Sequence, residues 1–393
     1  MVTTDDMLQA YYDCRKRKRR TASAVVYEMD YEARLIELRN RINARAYAPG
    51  KSICFVVTRP RYREVFAASF EDRIVHHYIG LRLEPLFERA FNPRTFNCRK
   101  GKGQLYGIRM LEDDIRTCSG NYTRDCWVMK LDLQGFFMSI DKAQLADMID
   151  RFILECYTGD DIEDLRYLCR VVVLHEPQKN CERHSPERFW DYLPANKSLF
   201  TNREGKGVAI GNLFAQLFAN FLLNDLDWYL EEIGIAHHGR YVDDIYAVHT
   251  DKAVLLAAVP KIRACLAKYG LRLNEKKFYL QHYSKGVAFT GMVVKPGRTY
   301  ISNRTYANAV TAVRRLNEAK TQRQTLHAVA SVNSYLGLLR QCSEYGRRAK
   351  LVSMMEPQAW QRVYVKGHYE VVCLRNKYKP KTQILQRIRD GTY

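Results

Sequence analysis

The stretch IAHHGRYVDDIYAVH, residues 235–249, sets two adjacent aspartates inside a run of strand-forming residues. Such a run reads as a β-hairpin that reverses at Tyr241-Val242-Asp243-Asp244, with no glycine at the reversal. An ordinary Asx turn would account for aspartate in a loop. Two carboxylates held at a tight turn, however, repel each other unless a cation lies between or beside them. A second acidic position follows the same logic about 110 residues earlier, where CWVMKLDL reads as a strand ending near Asp132, ahead of Gln134-Gly135-Phe136-Phe137. Aspartates from neighbouring strands can hold two hard divalent cations through oxygen ligands, with phosphate oxygens completing the octahedra. One ion would activate a hydroxyl nucleophile and the other would stabilise a leaving pyrophosphate.

Charge points to the kind of substrate such a centre would meet. Lys and Arg number 63 against 43 Asp and Glu in 393 residues, a net charge of +20. A surplus of that size favours a polyanionic partner, because neutralised phosphates release counterions. Hydrophobic residues make up 47%, which excludes a disordered chain. No stretch approaches the ~20 apolar residues of a membrane span, and the N-terminal MVTTDDMLQAYYDCRKRKRR lacks the apolar segment of a signal peptide. The 11 cysteines are scattered without a Cys-x-x-Cys, as expected of reduced thiols in a cytoplasm. Cys181 and His184 stand at metal-like spacing, but no second pair lies near them.

The coarse pattern is α+β. Residues 31–46 place Leu35, Leu38 and Ile42 on one helical face, 52–58 read as a strand, Arg59-Pro60-Arg61 as a turn and 67–90 as a helix. The basic run Arg15 to Arg20 reads as a solvated helix face or a phosphate contact. Helices are expected at 142–155, 161–174, 210–231 and 252–269, with a strand near 286–294 and a break at Pro296-Gly297. Beyond it the composition is helical and basic to about residue 352. On the 210–231 helix Asn212, Gln216, Asn220 and Asn224 recur every four residues as a polar stripe. Asn220 and Asn224 fit internally satisfied amides. Gly211, Asn212 and Gln216 fit a cleft, where Gly211 would permit close backbone approach to a nucleotide.

The order Lys-Leu-Asp-Leu-x-x-Phe-Phe, Ile-Gly-Asn-x-x-Ala-Gln, Tyr-Val-Asp-Asp resembles the palm motifs of reverse transcriptases. The resemblance implies a right-hand polymerase with an antiparallel palm sheet and a mostly helical C-terminal thumb. Fingers would occupy 1–125, palm 126–297 (with 142–207 partly returning to the fingers) and thumb 298–393. It implies catalytic roles for Asp132, Asp243 and Asp244. Two Mg2+ ions, with Mn2+ as the alternative, would be held by Asp132, Leu133 and Asp243. Phe137 matches the steric gate against a ribose 2′-hydroxyl, and Arg63, in a first fingers motif, a contact to the incoming triphosphate. Ile210, Gly211, Gln216 and Lys277 complete the expected nucleotide site. Arg99, Lys100 and Lys102 in a second fingers motif, with Asn212, Tyr241, and Phe289 and Gly291 of a primer-grip-like stretch, are the expected nucleic-acid contacts.

Ile210-Gly211-Asn212 followed by Gln216 in place of proline is similar to the diversity-generating retroelement branch, although Ala215 stands where that branch usually has Ser. That branch implies a repeat RNA as template, a DNA primer or cDNA, dNTPs, error-prone copying at adenines, a small basic accessory protein, and a cytoplasmic, bacterial or phage-encoded setting. A retron or group II intron type enzyme is the alternative within the class. A non-catalytic RNA-binding scaffold or defence protein is the alternative outside it.

Overall fold

The computed structural model describes residues 1–16, 21–58, 61–342 and 344–378. Arg17 to Arg20 of the basic run, the Arg59-Pro60 turn and the last 15 residues of the expected thumb, 379–393, lie outside the described residues. Arg15, at the described end of the run, pairs with Glu28. The strands are β1 (Ser52–Val57), β2 (Arg63–Ala67), β3 (Trp127–Asp132), β4 (Cys181–Arg183), β5 (His237–Tyr241), β6 (Asp244–His249), β7 (Tyr279–His282), β8 (Val287–Phe289), β9 (Met292–Lys295), β10 (Arg298–Ile301), β11 (Val363–Lys366) and β12 (Val371–Leu374). They form separate sheets in an otherwise helical chain, the α+β pattern expected. The contacts divide the chain into two units, Met1–Met110 with Arg124–Gln281, and Leu111–Thr123 with His282 onward.

The first unit is built on the sheet β5-β6-β3-β7. β3 and β5 both run antiparallel to β6, with Asp132 opposite Asp244 and Tyr241 opposite Asp244. Ile245, Tyr246, Ala247 and Val248 are all buried, so β6 is covered on both faces and reads as a continuous apolar run. The helix Lys252–Ala267 packs against β6 with Leu255, Val259 and Ile262 inward. Tyr31–Asn43 forms as its spacing predicts. Leu35, Leu38 and Ile42 are fully buried, each contributing about 1.5–3 kcal/mol. A second sheet, β2-β1-β4, carries its own small core of Cys54, Phe66, Leu199 and Ala209.

Two expected elements differ. The 210–231 helix is two helices, Leu213–Leu222 and Asn224–Glu232, because the backbone leaves α geometry at Leu223 (φ −95°, ψ 1°). Asn224 is anchored there by its side chain, accepting from the Asn92 amide (3.0 Å) and donating to the Ala90 carbonyl (3.1 Å). Asp225 and Asp227 then sit in the first turn of the second helix, where the dipole favours them. The strand near 286–294 is the hairpin β8–β9, turning on Thr290 (φ +43°) and Gly291 (φ +90°), the two positive values a tight primed turn requires. Pro296-Gly297 joins β9 to antiparallel β10. The second unit otherwise packs the helices Asn303–Glu318, Gln322–Gln341 and Tyr345–Ser353, with β11 and β12 as a terminal hairpin.

The helix Phe70–Ala90 carries a buried titratable group. His76 is 5% exposed and meets the Phe214 ring edge-on at 5.1 Å. Burial pushes its imidazole down to about 4; Asp72 opposes this, and His77, His175 and Arg73 add to it. With the folded value depressed, the neutral ring is the folded form, so stability is complete above the unfolded value near 6.5 and falls with pH below it. The unfolding free energy should drop by about 3 kcal/mol between pH 7 and pH 4 from this group alone. A His76→Phe variant should show a flatter urea-unfolding profile over that window, and an unchanged slope would contradict the assignment.

Candidate active site

Asp132 closes β3, and its carbonyl accepts the Asn274 amide at 2.8 Å on the side away from β6. Its backbone polar groups therefore point away from β6, and the Asp132–Asp244 pair is of the non-hydrogen-bonded kind. In such pairs Cα atoms lie about 4.5 Å apart and side chains are closest. By strand alternation the next carbonyl, that of Leu133, faces the Asp243 side. The hairpin β5–β6 turns at Val242, whose φ of +60° is a left-handed conformation that a β-branched residue rarely adopts, at a cost of about 1–3 kcal/mol. This turn places Asp243 next to Asp244 at the end of β3.

The electrostatics follow from that crowding. Burial raises the carboxyl of Asp243, and repulsion from Asp132 and then Asp244 raises it further. Burial also raises Asp244, Asp132 adds to it, and the Lys130 ammonium works against both. Lys130 Nζ lies 3.2 Å from Asp244 Oδ1, and Lys277 Nζ bonds Asp132 Oδ2. Asn274 Nδ2 donates to Asp132 Oδ1 at 3.2 Å. Among the described residues no three His, Cys, Asp or Glu side chains converge tightly enough, as they stand, to hold a metal ion. Two of the three carboxylates are instead bound to lysine ammoniums. The donor set is all oxygen, three carboxylates with the Leu133 carbonyl on the same side, and burial with mutual repulsion raises two of the carboxyls, Asp244 even with Lys130 beside it. That set fits hard divalent ions.

The Ile210-Gly211-Asn212 segment runs along β2. Phe66 N–H donates to the Ile210 carbonyl (2.8 Å) and Ala68 N–H to Asn212 Oδ1 (3.3 Å). Gly211 has φ +119°, and a Cβ there would lie 2.6 Å from the Phe66 carbonyl oxygen, so the close approach that requires glycine is to this protein's own strand. Asn220 and Asn224 are buried and satisfied, as their spacing implied, while Gln216 is exposed and accepts from the Cys98 thiol. Phe137 is half-buried beside Phe136, with ring centroids 5.2 Å apart. Tyr241 is half-buried at the turn. Arg63, at the start of β2, and Lys100 are exposed with no side-chain partner among the described residues.

Three of the residues expected at nucleic acid are engaged within the protein itself. Arg99 is turned inward, 5% exposed, and its guanidinium bonds both Glu88 carboxylate oxygens at 3.0 Å and the carbonyls of Asn92, Thr95 and Glu88. It braces its own loop and leaves no donor for phosphate. Lys102 donates to the Pro93 carbonyl and lies over the Tyr106 ring; burial, then Arg99, pushes its ammonium down to about 8. Phe289 is 1% exposed and is a core residue of β8. Gly291 is exposed at the β8–β9 turn, its carbonyl accepting from Ser302. Lys130 and Asn274 were not anticipated. Lys130 stands two residues before Asp132, hence on the same face of β3, which is the signal that identifies it.

Residues 58–294 match the family model described as reverse transcriptase (RNA-dependent DNA polymerase). The chain is 21% identical over 280 residues to Protein YkfC of Escherichia coli (strain K12), covering 62% of this chain and 66% of that one. It is 24% identical over 204 residues to Nuclear intron maturase 1, mitochondrial, of Arabidopsis thaliana, covering 44% of this chain and 27% of that one. Among solved structures, apo telomerase from Candida tropicalis superposes with a TM-score of 0.48 at 12% identity, over 79% of this chain and 58% of that one. The match thus spans less than two thirds of each relative's own length. The family match covers well over half of the sequence, including the β3 strand, the Gly211 segment and the aspartate turn: the chain belongs to the reverse transcriptase family.

Proposed function

We propose that this chain is an RNA-directed DNA polymerase that extends a DNA primer on an RNA template. The observation that carries this reading is the crowding of Asp132, Asp243 and Asp244 around one strained turn, in a protein of net charge +20. Asp132 and Asp243, with the Leu133 carbonyl, would hold two divalent cations, Mg2+ by the hardness of the donors, which when bound supply Lewis-acid activation of the 3′-hydroxyl and of the leaving pyrophosphate. Lys277 stands at Asp132, where its ammonium can bind the pyrophosphate or donate a proton to it. Arg63 offers the triphosphate a guanidinium with no partner among the described residues, and the Phe137 ring sits five residues after Asp132, where it would exclude a 2′-hydroxyl. Gly211, Asn212 and Gln216 would border the nucleotide, with Lys100, Tyr241 and Gly291 toward nucleic acid.

The finer reading is a diversity-generating retroelement enzyme that copies a repeat RNA with errors at adenines alongside a small basic accessory protein. Ile210 supports it, because an apolar residue beside the nucleotide lacks the amide that would constrain its position. Metal-dependent extension of a DNA primer on a defined RNA should give errors concentrated opposite A. Ile210→Gln, restoring one hydrogen bond, should lower them roughly two- to tenfold. Low, uniform error with both proteins would favour an intron-type enzyme, the reading that the plant maturase similarity supports. No metal-dependent synthesis at all would leave the RNA-binding alternative.

A further inference from the structure

Arg240, two residues before Val242, is the largest fully buried side chain among the described residues, at 0% exposure. A buried guanidinium must have its donors met, and here every one has a defined partner. Nε donates to Asp227 Oδ1 at 2.8 Å, and Nη2 to Asp227 Oδ2 at 2.6 Å. Nη2 also reaches Thr95 Oγ1 (3.3 Å) and the Asn220 carbonyl (3.2 Å). Nη1 donates to Asn220 Oδ1 (3.2 Å) and, at 3.0 Å, to the carbonyl of Val242 itself. Thr95 Oγ1 closes the ring by donating to Asp227 Oδ2 at 2.6 Å.

The other side of the same residue is also held. Val242 N–H donates to Asn97 Oδ1 at 2.8 Å, and the Asn97 carbonyl is fixed by Asn220 Nδ2 at 2.9 Å. Asn97 is 1% exposed, yet its Nδ2 finds no hydrogen-bond partner among the described residues. A buried amide with an unmet donor is costly, and this one is oriented by its bond to the turn. Both backbone polar groups of Val242 are thus gripped by side chains, at the one position of the turn whose φ is unfavourable for valine.

We infer that Arg240 and Asn97 are positioning residues for the catalytic turn: by gripping Val242 from both sides they hold the left-handed conformation that sets Asp243 and Asp244 against Asp132. Asp227, Asn220 and Thr95 keep the Arg240 fork aimed. The network also reaches the chain just before the Cys98–Gly103 loop, where Arg240 N–H donates to the Arg94 carbonyl (2.9 Å) and Phe96 N–H to the Arg240 carbonyl (3.0 Å). The catalytic consequence rests on the polymerase reading; the hold on the turn does not.

The test is Asn97→Ala in the full chain, read by two measurements. Amide hydrogen exchange of Val242 should speed up about ten- to a hundredfold, with exchange in β3 unchanged. The kcat for primer extension should fall by a similar factor while the KM for dNTP stays within about twofold. Arg240→Lys, which keeps the charge beside Asp227 but loses the fork, should show the same split. If Arg240→Lys does not fold, Asn97→Ala alone decides. Val242→Gly in the Asn97→Ala background should recover part of the lost kcat, because glycine needs no grip to hold φ near +60°. Exchange at Val242 as slow in Asn97→Ala as in the parent would overturn the inference, and so would unchanged kcat despite faster exchange. Faster exchange in a protein whose parent extends no primer would remove the polymerase reading and leave the positioning of the turn standing.

Discussion

Asp243→Asn is expected to reduce primer extension by about a thousandfold or more, while raising the melting temperature. The loss follows from removing a carboxylate that would hold the divalent ions, whose charge stabilisation is worth several kcal/mol at roughly 1.4 kcal/mol per decade of rate. The gain follows from the site itself. Burial raises the Asp243 carboxyl, and Asp132 and Asp244 raise it further, so the ionised form opposes folding. A group raised in this way penalises stability above its folded pKa, and the penalty disappears as pH falls and the carboxyl protonates. The variant should therefore exceed the parent in Tm at neutral pH, and the difference should close in acid. Circular dichroism melts across pH, paired with extension assays, check both halves. Equal activity would remove the two-metal assignment, and a lower Tm would mean that the carboxylate is held by its neighbours and is not strained by them.

Gly211→Ala should destabilise the protein by about 2–5 kcal/mol. The added Cβ would lie 2.6 Å from the Phe66 carbonyl oxygen and 2.7 Å from Val65 Cγ1, at a φ of +119° that disfavours any side chain. Relief by movement is limited, because Phe66 N–H is bonded to the Ile210 carbonyl and Ala68 N–H to Asn212 Oδ1. The strand and the segment would have to part together. Urea denaturation should show a lower midpoint with an unchanged slope. A midpoint equal to that of the parent would mean that β2 yields easily, and that Gly211 is there for a ligand and not for the strand.

The same glycine shows how the sequence and the fold divide the explanation. Its sequence context suggests close approach of a nucleotide, whereas in the fold the group that approaches is the protein's own strand. That the approaching group is the Phe66 backbone was decided 144 residues away in the chain, between Ala68 and Asn212. Arg99 makes the point more sharply. Next to Lys100 and Lys102 it read as one of three phosphate contacts, yet it is buried on Glu88 while Lys100 remains open. Charge is a property of the residue, but availability depends on which carbonyls and carboxylates the chain folds over it. Phe289 has the same history, since a strand of three residues cannot tell from its own pattern which face becomes core.

What the sequence by itself determined is the chemistry and its order along the chain: a strand-terminal Asp132, a glycine-led apolar helix and an Asp-Asp hairpin. These are local patterns, set by the period of two along a strand and by the reversal of a hairpin, so they can be read without knowing what packs against them. Tertiary structure alone decided how the aspartate turn is held. Arg240 gave no local sign of its role, because Asp227, Asn220, Thr95 and Asn97 come from three other segments and meet only when β5 is buried among them. A buried charge is tolerable only where its partners converge, and that convergence depends on the packing of distant segments, which no stretch of sequence contains.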